Sequence, residues 1–235
     1  MLSYETGAII RPMRRCLAVV LFLALHGTVY SQSAPILRIY GVVTQSGAEQ
    51  KYESILRNTA AACRRVGCPQ SYLVFQSLSN PGETWLLSTF ASREEAEKFD
   101  DYLRNSDLPI NRKRMPCRMS YGYLIDYRPD LGGGSQWNMG KDQVLIVTRT
   151  KAPAEGAVFQ GVNEFITIKP APTDADAVAA ASKADVFLKS EVFVAVLRPE
   201  LSFPAKEWID ANPELWARRP STRDIRQVID DRTPQ

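Results

Sequence analysis

Histidine is nearly missing from this sequence, since His26 is the only one among 235 residues. It lies in a segment that we expect to be removed, so the mature chain would contain none. Most hydrolase triads, most zinc sites and haem ligation by a proximal histidine depend on this residue, and we exclude them. We therefore expect no cofactor, and we assign no catalytic and no metal-ligating residue.

The sequence also lacks an excess of charge of either sign. Its formal net charge is +3, and residues 1–31 carry three arginines against one glutamate, so the chain without them is two units lower, at +1. Proteins that bind nucleic acids or anionic membranes present clustered positive charge. We predict no nucleic-acid partner.

No apolar run is long enough to cross a bilayer. The longest, residues 16–25, is well below the roughly 20 residues of a membrane-spanning helix. It follows the basic Met13-Arg14-Arg15 and precedes Val29-Tyr30-Ser31, an arrangement typical of a secretory signal peptide. We predict a signal peptide over residues 1–31, with Met13 as an alternative start and cleavage near Ser31. The mature protein would be secreted or periplasmic, without a stable membrane anchor.

The first half of the mature chain alternates between two periodicities. Residues 36–44, 71–78, 84–90 and 120–127 are rich in β-branched and aromatic residues and predict strands. Residues 48–66 repeat apolar side chains at helical spacing, and a second helix follows the Ser92-x-x-Glu95 capping pattern. The order strand, helix, strand, strand, helix, strand predicts a ferredoxin-like unit, an antiparallel sheet with both helices on one side.

Apolar residues occupy both faces of these predicted strands. A sheet face exposed to water would alternate polar and apolar residues. We therefore expect a second sheet to cover the face that the helices leave bare.

An internal repeat supplies that second sheet. The strand ending in Arg128-Pro129-Asp130-Leu131 is matched 70 residues later by one ending in Arg198-Pro199-Glu200-Leu201, which indicates duplication. Between them, residues 143–150 and 158–168 predict two strands and residues 174–188 a helix. The second unit would thus lack one helix and one edge strand, and we expect a homodimer to complete the barrel.

The chain resembles the dimeric alpha-beta barrel superfamily. The resemblance rests on this repeat, on the signal peptide and on the tail that runs from Leu201-Ser202-Phe203-Pro204 through Trp208 to Trp216. The chain is most similar to secreted bacterial proteins with two tandem units. The resemblance implies an α+β fold in which tandem ferredoxin-like units, with helices on the outer face, pack as an alpha-beta barrel whose second unit is truncated. The superfamily includes cofactor-independent monooxygenases, haem enzymes and binding modules, so the fold alone does not select an activity.

The predicted domain organisation follows these boundaries. After the signal peptide we place unit 1 at residues 32–131, a Gly-rich linker at 132–141, the abbreviated unit 2 at 142–201, a C-terminal arm at 202–219 and a flexible tail at 220–235. Trp208 and Trp216 would anchor the arm, because their rings would otherwise expose much apolar surface.

Three cysteines remain in the mature chain, and an exported protein can form one disulfide from them. In the predicted topology Cys68 and Cys117 lie at opposite ends of the sheet, about 20 Å apart at roughly 3.3 Å per strand residue. The candidate disulfide is Cys63 with Cys68, across the end of the first helix. The alternative is that Cys63 is a small core residue.

Aromatic residues are concentrated in the first sheet, with an arginine on the same strand face as one of them. We predict a pocket between sheet and helices for a small apolar or aromatic ligand. Its candidate residues are Arg38, Tyr40, Tyr72, Trp85, Tyr121 and Tyr123. Alternatively the rings only pack the core, and Arg38 pairs with Asp126.

These observations predict an exported, non-catalytic ligand-binding or structural module. The alternative is a cofactor-independent monooxygenase-like enzyme that acts on a small aromatic substrate. An enclosed cavity reached by Arg38 would favour ligand binding or catalysis over a purely structural role.

Overall fold

A computed structural model of the chain describes residues 36–111, 116–132, 144–171, 174–181 and 192–217. The predicted signal peptide, nearly all of the predicted linker, the predicted tail and the C-terminal part of the predicted helix 174–188 lie outside the described residues. Within the described ranges, no helix has the length and apolar character needed to span a membrane.

The first half follows the predicted order of elements. Strand β1 (Ile36–Thr44) leads into helix α1 (Glu49–Val66), strands β2 (Leu73–Ser77) and β3 (Glu83–Phe90), helix α2 (Arg93–Asn105) and strand β4 (Cys117–Tyr127). A 3-10 turn, Pro109–Asn111, lies between α2 and β4. The predicted order of strands and helices in this half is confirmed.

The ends of the two helices follow from local sequence. Helix α1 stops at Gly67, which adopts a left-handed φ of 69° and donates its N–H to the Cys63 carbonyl at 2.9 Å; glycine takes this conformation without steric cost. Helix α2 begins after Ser92, whose hydroxyl accepts from the Glu95 N–H. The Glu95 carboxylate accepts from the Ala91 N–H in return, so both members of the capping pattern satisfy backbone donors at the helix start.

The second half contains four strands, not three. They are β5 (Val144–Thr150), β6 (Ala157–Gln160), β7 (Phe165–Pro170) and β8 (Val192–Leu197), with helix α3 (Asp174–Ala181) before β8. The prediction of one continuous strand over residues 158–168 is wrong, because the chain reverses at Gly161, whose N–H donates to the Glu164 carbonyl at 2.9 Å. The expected loss of an edge strand is therefore wrong as well. The missing element is a helix, since residues 151–156 form a loop.

The eight strands close into one antiparallel barrel in an α+β fold, in the order β1-β3-β2-β8-β5-β7-β6-β4. Read from β4, the first half has the order β4-β1-β3-β2, and the second half repeats it as β8-β5-β7-β6. Because a single chain closes the sheet, completion of the barrel does not require a second copy.

The repeated Arg-Pro motifs lie at the two places where the halves meet. Arg128 follows β4, and its guanidinium binds Asp130 at 2.7 Å and the Gln160 amide oxygen on β6. Arg198 follows β8 and repeats both contacts, with Glu200 at 2.7 Å and with Gln76 on β2. Each motif thus joins the last strand of one half to the second strand of the other.

Alternation along the strands creates two packing regions. The inward side chains of all eight strands fill the barrel, among them Leu37, Phe75, Trp85, Phe159 and Phe193. The outward side chains of the first half pack beneath α1, where Val42, Tyr52, Leu56 and Val74 are buried. This explains the apolar residues on both faces of the predicted strands.

The C-terminal segment forms two short helices, α4 (Lys206–Ala211) and α5 (Pro213–Ala217). The Trp216 indole donates to the Trp208 carbonyl at 3.0 Å. Both indoles pack with the buried Leu215 against the barrel core, which removes their apolar surface from water.

Candidate functional site

A cavity of about 280 Å³ lies between the outward face of the first-half sheet and helices α1 and α2. Its walls are largely apolar, formed by Leu86, Leu103, Leu108 and Ile110, with a few polar groups among them. Small-ligand sites have this character, apolar walls with a small number of placed polar groups, and its volume is near the lower end of the roughly 300–1,000 Å³ typical of ligand pockets.

Arg38 is the central polar residue of the cavity. It projects outward from β1, and its Nη1 lies 2.5 Å from Asp100 Oδ1 on α2. Its guanidinium carbon is 5.9 Å from the ring centres of both Tyr40 and Phe99, a cation–π distance. Burial lowers the pKa of Arg38, while the charge of Asp100 opposes that shift. The guanidinium stays protonated in water, because its ordinary pKa is far above neutrality.

Tyr72 contributes a buried phenol to the cavity wall. Its position is fixed by a backbone bridge to Phe203, with N–H to carbonyl distances of 2.8 and 3.0 Å. Its hydroxyl has no hydrogen-bond partner among the residues that the structure describes. Burial raises the pKa of Tyr72, so the hydroxyl keeps its proton and remains a donor. An unpartnered buried hydroxyl is destabilising until an acceptor reaches it.

A disulfide fixes one wall of the cavity. The structure joins Cys63, a lining residue, to Cys68 across the end of α1. Cys68 Sγ lies 3.6 Å from the Tyr102 hydroxyl on α2. The disulfide therefore holds Cys68 at the end of α1, where it contacts Tyr102 on α2. Cys117 is a free, half-buried thiol.

The six predicted ligand residues separate into two groups on opposite faces of the sheet. Arg38, Tyr40 and Tyr72 line the cavity. Trp85, Tyr121 and Tyr123 instead belong to the barrel interior and do not line it.

Within the barrel interior, Trp85 and Tyr121 form a hydrogen-bonded chain that ends on a buried carboxylate. The Trp85 indole donates to the Tyr121 hydroxyl at 2.7 Å, and that hydroxyl donates to Glu83. Glu83 is fully buried. The Trp85 ring stacks on Phe193 with a centroid distance of 4.1 Å. These hydrogen bonds satisfy the polar groups of Trp85, Tyr121 and Glu83 inside the barrel. The two aromatic residues therefore pack as part of the core.

The predicted ion pair between Arg38 and Asp126 is wrong. In the register of β1 and β4, Asp126 is opposite Ile36 and Arg38 is opposite Leu124. Asp126 pairs with Arg93 at 2.7 Å, while Arg38 reaches α2. Asp100 is not among the predicted site residues, although its neighbour Phe99 packs α2 against Phe90 on the sheet.

The described residues contain no cluster of His, Cys, Asp or Glu suited to holding a metal ion. What the cavity wall contains is a guanidinium, the Tyr72 phenol with its hydroxyl buried, and aromatic and aliphatic side chains. This arrangement can enclose an apolar molecule and donate hydrogen bonds to an oxygen on it.

No protein-family model and no curated protein matches this chain. Among solved structures it is similar to a proposed monooxygenase from Lactobacillus acidophilus NCFM, with 10% identity, a TM-score of 0.41 and coverage of 70% of this chain and 94% of the other. It is also similar to a proposed chlorite dismutase (8%, 0.42, 70% and 94%) and to an anthrone oxidase-like protein (11%, 0.37, 84% and 84%). Identities and TM-scores at this level do not identify a family.

Proposed function

We propose that the cavity beneath α1 and α2 binds a small, largely apolar or aromatic molecule that carries at least one hydrogen-bond-accepting oxygen. The observation that carries this proposal is that Tyr72, whose buried hydroxyl has no hydrogen-bond partner among the described residues, lines the same apolar-walled cavity as Arg38. A ligand oxygen that accepts from Tyr72 would remove the cost of burying that hydroxyl.

The energetics favour such a ligand over a purely apolar one. Apolar area removed from water contributes about 25 cal/mol per Å², which the aliphatic walls supply for any ligand that fits. An unsatisfied buried donor costs about 1–3 kcal/mol, and only a ligand with an acceptor recovers it. The cavity would therefore discriminate between a hydrocarbon and its oxygen-bearing analogue.

A fragment titration monitored by amide NMR shifts tests this proposal. Small aromatic amides and phenols should shift the amides of Arg38, Ser88 and Phe99 around the cavity. The variant Leu86→Trp fills the cavity and should abolish those shifts, while Val162→Trp, at an exposed hairpin position, should leave them unchanged. If no fragment perturbs the cavity residues, the proposal is wrong. Oxygen uptake by the protein with a bound phenol would show an oxygenase instead of a binding module.

We also propose that the barrel consists of two tandem ferredoxin-like units of the dimeric alpha-beta barrel type, residues 32–131 and 142–201. The repeated strand order and the matching contacts of Arg128 and Arg198 support this. An experimental structure in which the two four-stranded halves cannot be superposed would contradict it.

Export of the protein is a separate proposal. It is supported by the basic and apolar pattern of residues 13–31 and by the Cys63–Cys68 disulfide, a bond that persists mainly in oxidising compartments. Mass spectrometry of protein expressed from the full sequence in a bacterium should find a mature chain that begins near Gln32. Recovery of only the uncleaved chain, in the cytoplasm, would rule the proposal out.

A further inference from the structure

The charged side chains at the cavity compensate one another. Arg38 is paired with Asp100, with 2.5 Å between Nη1 and Oδ1. Arg104 also lines the cavity and is paired with Asp101 on the same helix. Among the described residues that line the cavity, both guanidinium groups are thus matched by carboxylates. The charge of Arg64, which donates to the Ser202 carbonyl, also acts on Tyr72.

Compensation of charge does not remove the capacity to donate hydrogen bonds. A guanidinium carries five N–H groups, and the contact of Arg38 Nη1 with Asp100 Oδ1 at 2.5 Å is an ion pair without hydrogen-bond geometry. The Tyr72 hydroxyl lies buried in the cavity wall with no partner in the described part of the chain. An acceptor can therefore be bound without an ionic interaction.

Resting on the proposed function, we infer that the cavity selects an uncharged ligand, an aryl amide, ester or ketone, and discriminates against the corresponding carboxylate. A carboxylate would have to lie beside Asp100 or displace it from Arg38. Burying a charge without a free counter-charge is unfavourable, and Asp100 thus acts as a repulsive element against anions. A neutral carbonyl meets neither obstacle.

The exposure of Arg38 and Asp100 leaves one alternative, in which an anionic ligand binds Arg38 in place of Asp100. The Arg38 side chain is 19% exposed and that of Asp100 is 42% exposed. An anionic ligand could replace Asp100 if that carboxylate turned into solvent. The affinity of the protein for a matched neutral and anionic pair separates the two cases.

The test uses 2-naphthamide and 2-naphthoate, which share a ring system and differ in charge. Their dissociation constants are measured by amide NMR titration at neutral pH for the wild type, Asp100→Asn and Asp126→Asn. We expect the wild type to bind the amide at least ~10-fold more tightly than the carboxylate. Asp100→Asn should tighten 2-naphthoate binding at least ~10-fold and change 2-naphthamide binding by less than ~3-fold.

Asp126→Asn is the matched control. It removes the same charge from another arginine–aspartate pair, Arg93–Asp126, that does not line the cavity. Both dissociation constants should stay unchanged in this variant. A similar effect in both variants would mean that net charge alone governs binding, which would overturn the inference.

The remaining outcomes are distinguishable. If wild-type protein binds 2-naphthoate as tightly as 2-naphthamide, or more tightly, the charge inference is wrong while the proposed function stands. An unchanged preference in Asp100→Asn also overturns the inference. If neither probe shifts cavity residues at millimolar concentration, both the inference and the proposed function fail.

Discussion

The phenol ring of Tyr121 occupies the space into which a side chain at Gly41 would project. The two residues are paired across β1 and β4, and the ring is held there by hydrogen bonds with Trp85 and Glu83. Any Cβ at position 41 must move the ring and disturb both bonds.

Gly41→Ala should therefore lower the free energy of unfolding by about 3 kcal/mol, from overpacking and from buried polar groups left unsatisfied. Urea denaturation measures this. Gly122→Ala is the control, because an added Cβ there meets no atom closer than 4.0 Å, and it should change stability by less than about 0.5 kcal/mol. The double variant Gly41→Ala/Tyr121→Ala should cost less than the sum of the single variants; additive costs would contradict the overlap.

The two Arg-Pro motifs should differ in energy although their contacts match. The Arg198 side chain is 6% exposed and binds Glu53 and Glu200, whereas that of Arg128 is 36% exposed. Arg198→Met leaves the buried Gln76 and the half-buried Glu53 and Glu200 without their partner, and should destabilise the protein by about 2–4 kcal/mol. Arg128→Met should cost less than about 1 kcal/mol, as for an exposed pair. Urea midpoints compare the variants, and equal losses would show that burial does not set the difference.

Removal of the Tyr72 hydroxyl, which has no partner among the described residues, should affect stability and binding in opposite directions. Tyr72→Phe should raise the free energy of unfolding by up to about 1 kcal/mol, since a buried donor without a partner is lost. It should also weaken 2-naphthamide binding about fivefold or more. Tyr52→Phe is the control, because the Tyr52 hydroxyl is likewise buried without a partner in the described residues but does not line the cavity. Tyr52→Phe should stabilise the protein without changing its affinity for 2-naphthamide. If it lowers that affinity as much as Tyr72→Phe does, the Tyr72 hydroxyl does not bind the ligand.

Stability should fall at alkaline pH. Burial raises the pKa values of Tyr52, Tyr72 and Tyr121 above the usual value of about 10, so the folded state holds these protons more tightly than the unfolded state. Stability is then unaffected by these groups below about pH 10 and declines above it, by up to about 1.4 kcal/mol per pH unit for each tyrosine. Urea midpoints from about pH 8 to about pH 11 measure the decline. The decline should be less steep in Tyr52→Phe, because one of the three tyrosines no longer contributes. A decline as steep as that of the wild type would contradict this.

Local sequence was sufficient to predict most elements but not every chain reversal. Residues 36–44 contain a continuous β-favouring run between clear breakers, and β1 occupies that range. Residues 158–168 also favour strand on both sides of Gly161, and the short turn between β6 and β7 does not interrupt the pattern strongly. Whether such a turn is made depends on pairing between distant strands, which local propensity does not contain.

The candidate site could be predicted only in part for a related reason. Alternation shows that Arg38 and Tyr40 share a face. It does not show that Trp85 faces the other way, because that depends on the pairing of Gly41 with Trp85. Both faces of the sheet are apolar, so neither register leaves an obvious mismatch in the sequence. Asp100 was missed because its role depends on how α2 packs on the sheet.

The closed barrel is joined unevenly around its circumference. β1 pairs along its length with β3 and β4, whereas the ladder of β4 with β6 is short, at Asp126 and Tyr127, as is that of β2 with β8, over Phe75 to Ser77. Backbone hydrogen bonds of Arg128 and Arg198 continue them by one step. Separation of the halves would break these two short ladders together with the Arg128–Gln160 and Arg198–Gln76 contacts that cross them. Each freed edge is complementary to the edge of the other half, including that of a second molecule. In a dimer formed by exchange of halves, these two ladders would be made between copies, while the pairings within each half would stay within one chain.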